Sequence, residues 1–256
     1  MNSNPLPAIE VKKLRKEFGG VVAVNDLNLT FAQGQVSSLI GPNGAGKTTV
    51  FNLVTGFLQP TSGGVLLNGQ TLTGRKPHRI AAMGIGRTFQ NVQVFPAMTV
   101  LENVMVGRHL RSRCGMIVSC LLPPMLRPEE KRVRESALAW LDAVGLAAHA
   151  DRPAGSMPLG SQRMLEIARA MALEPSVLFL DEPASGLNAR ETADMGDLIM
   201  KIKAMGITVV LVEHDMELVM DISDKVAVVN FGSLIAEGTP REVQANPDVI
   251  NAYLGA

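Results

Sequence analysis

Aromatic side chains are scarce: Phe, Tyr and Trp together make up 4% of the 256 residues, with one Trp and one Tyr. That leaves little stock for the stacking platforms that hold single-stranded bases. Net charge is lacking as well, since 24 Lys and Arg balance 24 Asp and Glu. This balance argues against a whole-surface nucleic-acid binder and against an acidic solvating tail, so any nucleic-acid role would need a local patch. Cysteine is limited to Cys114 and Cys120, whose number and spacing fit neither a disulfide framework, a zinc site nor a C-x-x-C redox pair. Long apolar runs are missing: the longest, 207–212 and 116–122, the latter broken by Ser119, fall far short of the ~20 residues that span a bilayer. The opening MNSNPLPAIEVKKL has no positive-then-apolar leader pattern, so the chain is expected to be neither secreted nor membrane-spanning by itself. Charged residues are sparse at 19%, while Met is plentiful at 14, which suggests that a partner covers some apolar surface. The length suffices to bury a sizeable core without staples.

Two short apolar runs share a setting. Val36-Ser37-Ser38-Leu39-Ile40 leads into a Gly-rich loop, and Val177-Leu178-Phe179-Leu180 leads into Asp181-Glu182-Pro183. Both predict buried strands of a partly parallel sheet. A third run, Ile207-Thr208-Val209-Val210-Leu211-Val212, follows a helical stretch in which Met195, Leu198, Ile199, Ile202 and Met205 recur on one face and Gly206 takes the C-terminal position. Strand, helix and strand there make a crossover unit. Near the C-terminus, apolar runs at 226–229 and 234–236 flank the turn Asn230-Phe231-Gly232-Ser233. Thr239-Pro240-Arg241-Glu242 has the form of a capping box with Pro at the first helical position, so a terminal helix pair is expected to close the domain. From about 97 to 172 helical spacing replaces the strand pattern, as in Val133, Ala137, Trp140, Leu141 and Val144, ended by Gly145. This predicts a helical subdomain inserted into an α/β core. Its first half is basic, with Arg108, Arg111, Arg113, Arg127, Lys131, Arg132 and Arg134 against Glu102, Glu129 and Glu130. Such a stretch is either a solvated helical face or a surface near lipid head groups or a partner.

The chemistry is concentrated in a few places. Gly41-Pro42-Asn43-Gly44-Ala45-Gly46-Lys47-Thr48-Thr49 satisfies G-x-x-x-x-G-K-[ST] and lies between an apolar strand and a predicted helix from Thr48 to Gly56. Its glycines let the backbone curl so that N–H groups point inward at phosphate oxygens, and the helix N-terminus adds partial positive charge. Lys47 is expected to reach the β- and γ-phosphates and the Thr48 hydroxyl to ligate Mg²⁺. The strand ending at Asp181 supplies the complementary carboxylate on the metal side, while Glu182 points the other way and can orient, or take a proton from, an attacking water. His214, at the end of the third strand in Val212-Glu213-His214-Asp215, falls at the C-terminal sheet edge where ligands of such sheets bind. His78, His109 and His149 have no such context and read as ordinary surface residues.

With these motifs in place, residues 9–255 resemble the nucleotide-binding subunit of an ABC transporter. The resemblance implies an α/β P-loop NTPase core, at 9–96 and 173–256, with a mixed, largely parallel sheet and an antiparallel β part near the N-terminus. The helical subdomain at 97–172 would carry the signature motif, the whole forming one domain, 1–256. Phe18, in Glu17-Phe18-Gly19-Gly20, resembles the aromatic that stacks on adenine, with Val24 against the ring edge. Gln90, in Arg87-Thr88-Phe89-Gln90, resembles the Mg²⁺ ligand that links the site to the helical subdomain, and Ser185-Gly186-Leu187-Asn188 looks like the loop that crosses the dimer interface. His214 matches the switch histidine at the γ-phosphate.

The signature stretch departs from the common L-S-G-G-Q pattern. Met157-Pro158-Leu159-Gly160-Ser161-Gln162 keeps only Gly160, and Pro158 replaces the serine whose hydroxyl would touch the partner's nucleotide. A helix N-terminus near Gly160 still addresses an anion, and Ser161 offers a hydroxyl in place of the lost one. The variant resembles the ATPases of branched-chain amino acid importers. The stretches GPNGAGKTTVFNLVTG, Arg87-Thr88-Phe89-Gln90, Met98-Thr99-Val100-Leu101-Glu102-Asn103, Glu213-His214-Asp215-Met216 and the close from Asn246 to Gly255 favour the LivG-type subunit over the shorter LivF-type.

The resemblance implies ATP and Mg²⁺ as ligands, with Thr48, Gln90 and Asp181 on the metal. It further implies a second ATPase subunit, either another copy of this chain or a related one, two membrane permeases, a periplasmic solute-binding protein acting indirectly and no nucleic acid, at the cytoplasmic face of the inner membrane. Similar ATPases serve importers of urea or short amides. A soluble ABC ATPase acting on a nucleoprotein would share the motifs, although a single P-loop, the lack of a heptad run and the lack of net positive charge weigh against it. A small-molecule kinase or GTPase would explain the P-loop alone.

Overall fold

The structure is a computed structural model and describes residues 6–108 and 123–254. Cys114, Cys120, His109, Arg111 and Arg113 lie outside the described residues.

The chain begins with long antiparallel strands, β1 (Ile9–Phe18) and β2 (Val21–Phe31), followed by β3 (Val36–Ile40), helix α1 (Lys47–Val54), β4 (Ser62–Leu67) and the short β5 (Gln70–Thr71). Helix α2 (Pro77–Ala82) and β6 (Ile85–Arg87) precede α3 (Val100–Gly107), α4 (Pro123–Ala143) and α5 (Leu159–Met171). The chain then alternates β7 (Val177–Asp181), α6 (Ala189–Ala204), β8 (Thr208–Val212) and α7 (Met216–Ile222). It ends with β9 (Lys225–Asn230), β10 (Ser233–Gly238), α8 (Pro240–Gln244) and α9 (Pro247–Leu254).

Two sheets result. One is antiparallel in the order β2-β1-β4-β5, and the other runs β10-β9-β3-β8-β7-β6. In the second sheet β9, β3, β8, β7 and β6 pair in parallel and only the β9–β10 hairpin is antiparallel. The expected mixed, largely parallel sheet with an antiparallel part near the N-terminus is thus observed.

The unbroken apolar strands follow from burial on both faces. In β7, Val177 and Phe179 enter the core beneath the antiparallel sheet and α1, whereas Leu178 and Leu180 enter the core formed with α5, α6 and α7. In β8, Val210 and Val212 face the first core and Val209 and Leu211 the second. The same alternation places Asp181 on the α1 side, beyond Phe179, whose ring meets Phe51 of α1 edge-on at 5.0 Å.

Helices α3, α4 and α5 pack on one another through a separate apolar cluster that includes Val100, Val104, Ala137, Leu141 and Leu165. The expected face of α4 is observed, with Ala137 and Leu141 buried and Val133, Trp140 and Val144 half-buried. On α6, Met195, Leu198, Ile199 and Ile202 are buried, but Met205 is exposed. The helix has ended by then, with Met205 as its C-terminal cap and Gly206 in the left-handed region at φ +83°, so the 3.6-residue spacing no longer aims that side chain inward. The capping box at Thr239 forms as expected: its hydroxyl accepts from Glu242 N and the Glu242 carboxylate accepts from Thr239 N. Among the described residues, no helix is long and apolar enough to cross a membrane.

Candidate active site

Strand β3 delivers the loop 41–46 to the start of α1. Gly41 and Gly46 are required sterically as well as conformationally: at φ +153° and +99°, added Cβ atoms would stand 2.0 Å from Val229 O and 2.4 Å from Ala23 O. The cap residue Gly46 offers no side chain to the first turn of α1, so the free N–H groups and the helix dipole there face the loop's interior. Lys47 is buried and donates from Nζ to Gly41 O at 2.6 Å and Pro42 O at 3.0 Å, a ring of loop carbonyls that holds the ammonium in place. Burial pushes its pKa down, opposed by the carboxylates of Glu182 and Asp181. Thr48 is exposed and Thr49 half-buried at the same helix start. Pro42, Asn43, Gly44 and Ala45 complete the loop, which Ala45 N closes by donating to Pro42 O at 3.2 Å.

Asp181 is buried, and Arg87 was not among the residues assigned a role from sequence. Arg87 Nη2 meets Asp181 Oδ2 at 3.2 Å, with side chains 8% and 2% exposed. Arg87 Nη1 also donates to Thr55 Oγ1 at 2.6 Å, and the guanidinium stands 5.1–5.9 Å from the ring centres of Phe51, Phe57 and Phe89. Burial raises the Asp181 pKa and the guanidinium beside it works in the opposite direction. Asp181 Oδ1 has no hydrogen-bond partner among the described residues. No local pattern marks Arg87: it ends β6, which tertiary pairing places beside β7, so the cation comes to stand where the neighbouring strand ends in a carboxylate.

Glu182 follows in the left-handed region at φ +50°, where its N–H donates to Val212 O at 2.8 Å and ties it to the end of β8. Its two carboxylate oxygens take different partners, Oε1 being 3.1 Å from His214 Nε2 and Oε2 accepting from Gln90 Nε2 at 3.1 Å. Three residues from three loops, Gln90, Glu182 and His214, therefore converge at the C-terminal edge of the sheet. A second carboxylate, Glu213, is buried next to His214 and, among the described residues, is bonded to backbone amides alone.

Phe18 ends β1 as a 45% exposed residue, with the Lys16 ammonium over its ring, 4.8 Å from the centre. Val24 departs from expectation: it is fully buried in the core beneath the antiparallel sheet and offers no exposed edge to a ring, because a register shift in β2 between Leu27 and Val24, with Asp26 at φ +48°, breaks the alternation and turns Val24 to the same side as Leu27.

Helix α5 starts at Leu159 with Pro158 as a cap that has no side-chain donor or acceptor, so no side chain of the cap residue bonds the first turn, where Gly160 is buried and Ser161 half-buried. Gln162 turns back, donating from Nε2 to Met157 O at 2.8 Å. A Cβ on Gly160 would meet the Glu191 carboxylate at 2.6 Å, and Leu159 lies against Gly186 of the segment 185–188. Asn188 caps α6, accepting from Arg190 N and Glu191 N, and Leu187 packs against the core formed by α5 and α6. From α5, Arg163 donates to Phe89 O at 3.3 Å and Ser185 O at 3.4 Å, joining that helix to the loops on either side of the site.

Comparison with known proteins identifies the family. The profile of the ABC transporter family matches residues 24–185, and that of the branched-chain amino acid ATP-binding cassette transporter family matches residues 233–256. The high-affinity branched-chain amino acid transport ATP-binding protein BraF of Pseudomonas aeruginosa is 49% identical over 97% of this chain and 98% of that protein. LivG of Escherichia coli, described in the same words, is 48% identical over the same shares. Among solved structures, a nucleotide-free ATP-binding cassette from an ABC transporter superposes with TM-score 0.86 at 31% identity, covering 98% of this chain and 100% of that one. A cassette in its ADP conformation superposes with TM-score 0.85 at 31% identity, covering 98% of this chain and 99% of that one. Identity at this level over nearly the full length of both proteins carries fold and chemistry with it, and the chain belongs to the ATP-binding proteins of the ABC transporter family.

Proposed function

We propose that this chain hydrolyses ATP to drive import of branched-chain amino acids, as a peripheral subunit on the cytoplasmic face of the membrane. In this role it pairs with a second ATPase subunit and two permeases, and indirectly serves a periplasmic solute-binding protein. The observation that carries the reading is Glu182 held between Gln90 and His214, each 3.1 Å away, at the sheet edge where Lys47 and Asp181 also lie.

The site suits a nucleotide triphosphate. Phosphate oxygens would take over the Lys47 ammonium from the Gly41 and Pro42 carbonyls and meet the open first turn of α1, while adenine stacks on Phe18. The donors expected for Mg²⁺ also fit. Asp181 Oδ1 is buried without a partner among the described residues, Thr48 presents a hydroxyl, and Gln90 keeps an amide oxygen while its Nε2 bonds Glu182, a hard oxygen set of the kind Mg²⁺ prefers. Bound there, the ion would neutralise phosphate charge. Glu182 orients the attacking water and draws on its proton, and His214 reads the γ-phosphate. Gln90 passes the change to residues 97–172, which we take as the helical subdomain, with α5 closing over the nucleotide of a facing subunit through Leu159, Gly160, Ser161 and Gln162. Because closure creates γ-phosphate contacts that the open state lacks, ATP shifts the population towards the closed dimer and hydrolysis releases it.

The test is Glu182→Gln with Mg-ATP. The variant is expected to bind ATP, stop turning over and accumulate as a dimer in size-exclusion chromatography. Hydrolysis at the wild-type rate by a monomer overturns the assignment.

A further inference from the structure

Glu213 lies outside the set of groups that would touch nucleotide, yet it is the best-satisfied buried carboxylate near the site. It directly follows β8, whose five residues are all buried, and is itself 3% exposed. Its Oε1 accepts from Ala184 N at 2.7 Å, while Oε2 accepts from His214 N at 2.9 Å and Asp215 N at 3.4 Å. One carboxylate thus spans two loops: the one that leaves Glu182 towards Ser185, and the one that presents His214. Burial pushes the pKa of this carboxyl up, and among the described residues three backbone N–H groups, with no cation, oppose that rise.

We propose that Glu213 is a positioning residue that fixes the separation of Glu182 and His214 by clamping the backbone next to each. This rests on the roles proposed above for those two residues. The physical case is one of acceptor count. A carboxylate offers two acceptor oxygens and no donor, so it satisfies amides from both loops at once. A glutamine amide of the same shape offers one oxygen and an NH₂ group, which would face an N–H on whichever loop it met. An aspartate keeps the charge but is one methylene shorter, too short to hold both loops at their present spacing. Without the clamp, the 3.1 Å contact between Glu182 Oε1 and His214 Nε2 is no longer held from the backbone side. The residues that bind nucleotide through the P-loop and Phe18 lie on other elements.

The experiment compares the full-length wild type, Glu213→Gln and Glu213→Asp for ATP turnover at saturating Mg-ATP and for affinity towards a fluorescent ATP analogue. Both variants are expected to lose kcat by about tenfold to a hundredfold, the scale on which a displacement of about 1 Å acts, with affinity unchanged. In a His214→Ala background Glu213→Gln is expected to add little, because its effect runs through His214 and Glu182. Wild-type kcat in both Glu213 variants, equal losses in the presence and absence of His214, or a loss confined to affinity would each overturn the proposal. Should Glu213→Gln fail to fold, Glu213→Asp, judged by the same measurements, decides it. Failure of the underlying assignment reads differently: there Glu182→Gln itself retains turnover, whereas failure of this proposal leaves Glu182→Gln inactive and the Glu213 variants active.

Discussion

Replacing Arg87 with Met removes a buried cation while keeping apolar bulk against Phe51, Phe57 and Phe89. The guanidinium is the cation bonded to Asp181, both side chains are at least nine-tenths buried, and Asp181 Oδ1 already has no partner among the described residues. Removing one partner of a buried pair leaves an uncompensated charge, at a cost of about 3–5 kcal/mol. Taking the lower end, about 3 kcal/mol, a chain of this size should lose roughly 6–12 °C in Tm. Thr55 still donates to Phe51 O at 2.6 Å, so no second buried group is orphaned.

The loss should depend on pH. Burial already holds the Asp181 pKa above its ordinary value, and Arg87 is the principal group opposing that rise. Without Arg87 the folded pKa moves higher still. A raised carboxyl costs nothing where it is protonated in both states and costs progressively more as pH climbs from the unfolded pKa through the folded one. Thermal melts of the nucleotide-free protein should therefore show a smaller deficit for Arg87→Met near pH 5 than near pH 8. Combining Arg87→Met with Asp181→Asn removes both charges and should recover most of the lost stability. A shift under about 2 °C, which is less than 1 kcal/mol at this size, would refute the reasoning. So would a double variant no more stable than the single.

Two further changes test other parts of the structure. Glu166, on α5, accepts from Gln93 N at 3.2 Å, has a second oxygen without a hydrogen-bond partner among the described residues, and has its pKa raised by burial despite Arg169 and Arg163 nearby. The wild type therefore loses stability as pH rises through that interval, and Glu166→Gln, which does not titrate, should gain Tm relative to wild type between pH 5 and pH 8; a constant difference contradicts this. Gly46→Ala would place a Cβ 2.4 Å from the Ala23 carbonyl in a left-handed backbone, so the loop must move. Its ATP affinity should fall by at least about tenfold, or about 1.4 kcal/mol, and unchanged binding of a fluorescent ATP analogue would show that the loop tolerates the shift.

Much of the protein is legible locally. The P-loop announces itself because its glycines, Lys47 and Thr48 act through backbone geometry within nine residues. The two-faced burial of the parallel strands writes unbroken apolar runs such as Val177-Leu178-Phe179-Leu180, and α6 and α8 carry their capping boxes in sequence. Pro158 and Gly160 likewise foretell an uncapped helix start at the signature position. What alternation and spacing do not carry is which face an individual side chain takes where an element bends or ends. Val24 turns into the core in a strand of mixed pattern, and Met205 falls one residue past its helix.

Unbroken apolar strands, the G-x-x-x-x-G-K-T loop and the strand-end carboxylates by themselves determined an α/β core with a phosphate-binding loop, because each depends on residues adjacent in the chain. Only the tertiary structure decided that Arg87 neutralises Asp181 across 94 positions and that Glu182 sits between Gln90 and His214. It also decided that Glu213 holds the two loops together. Those pairings arise where parallel strands from distant segments end side by side, and the strength of a buried charge or hydrogen bond is fixed by the partners and exposure found there, which no local pattern records.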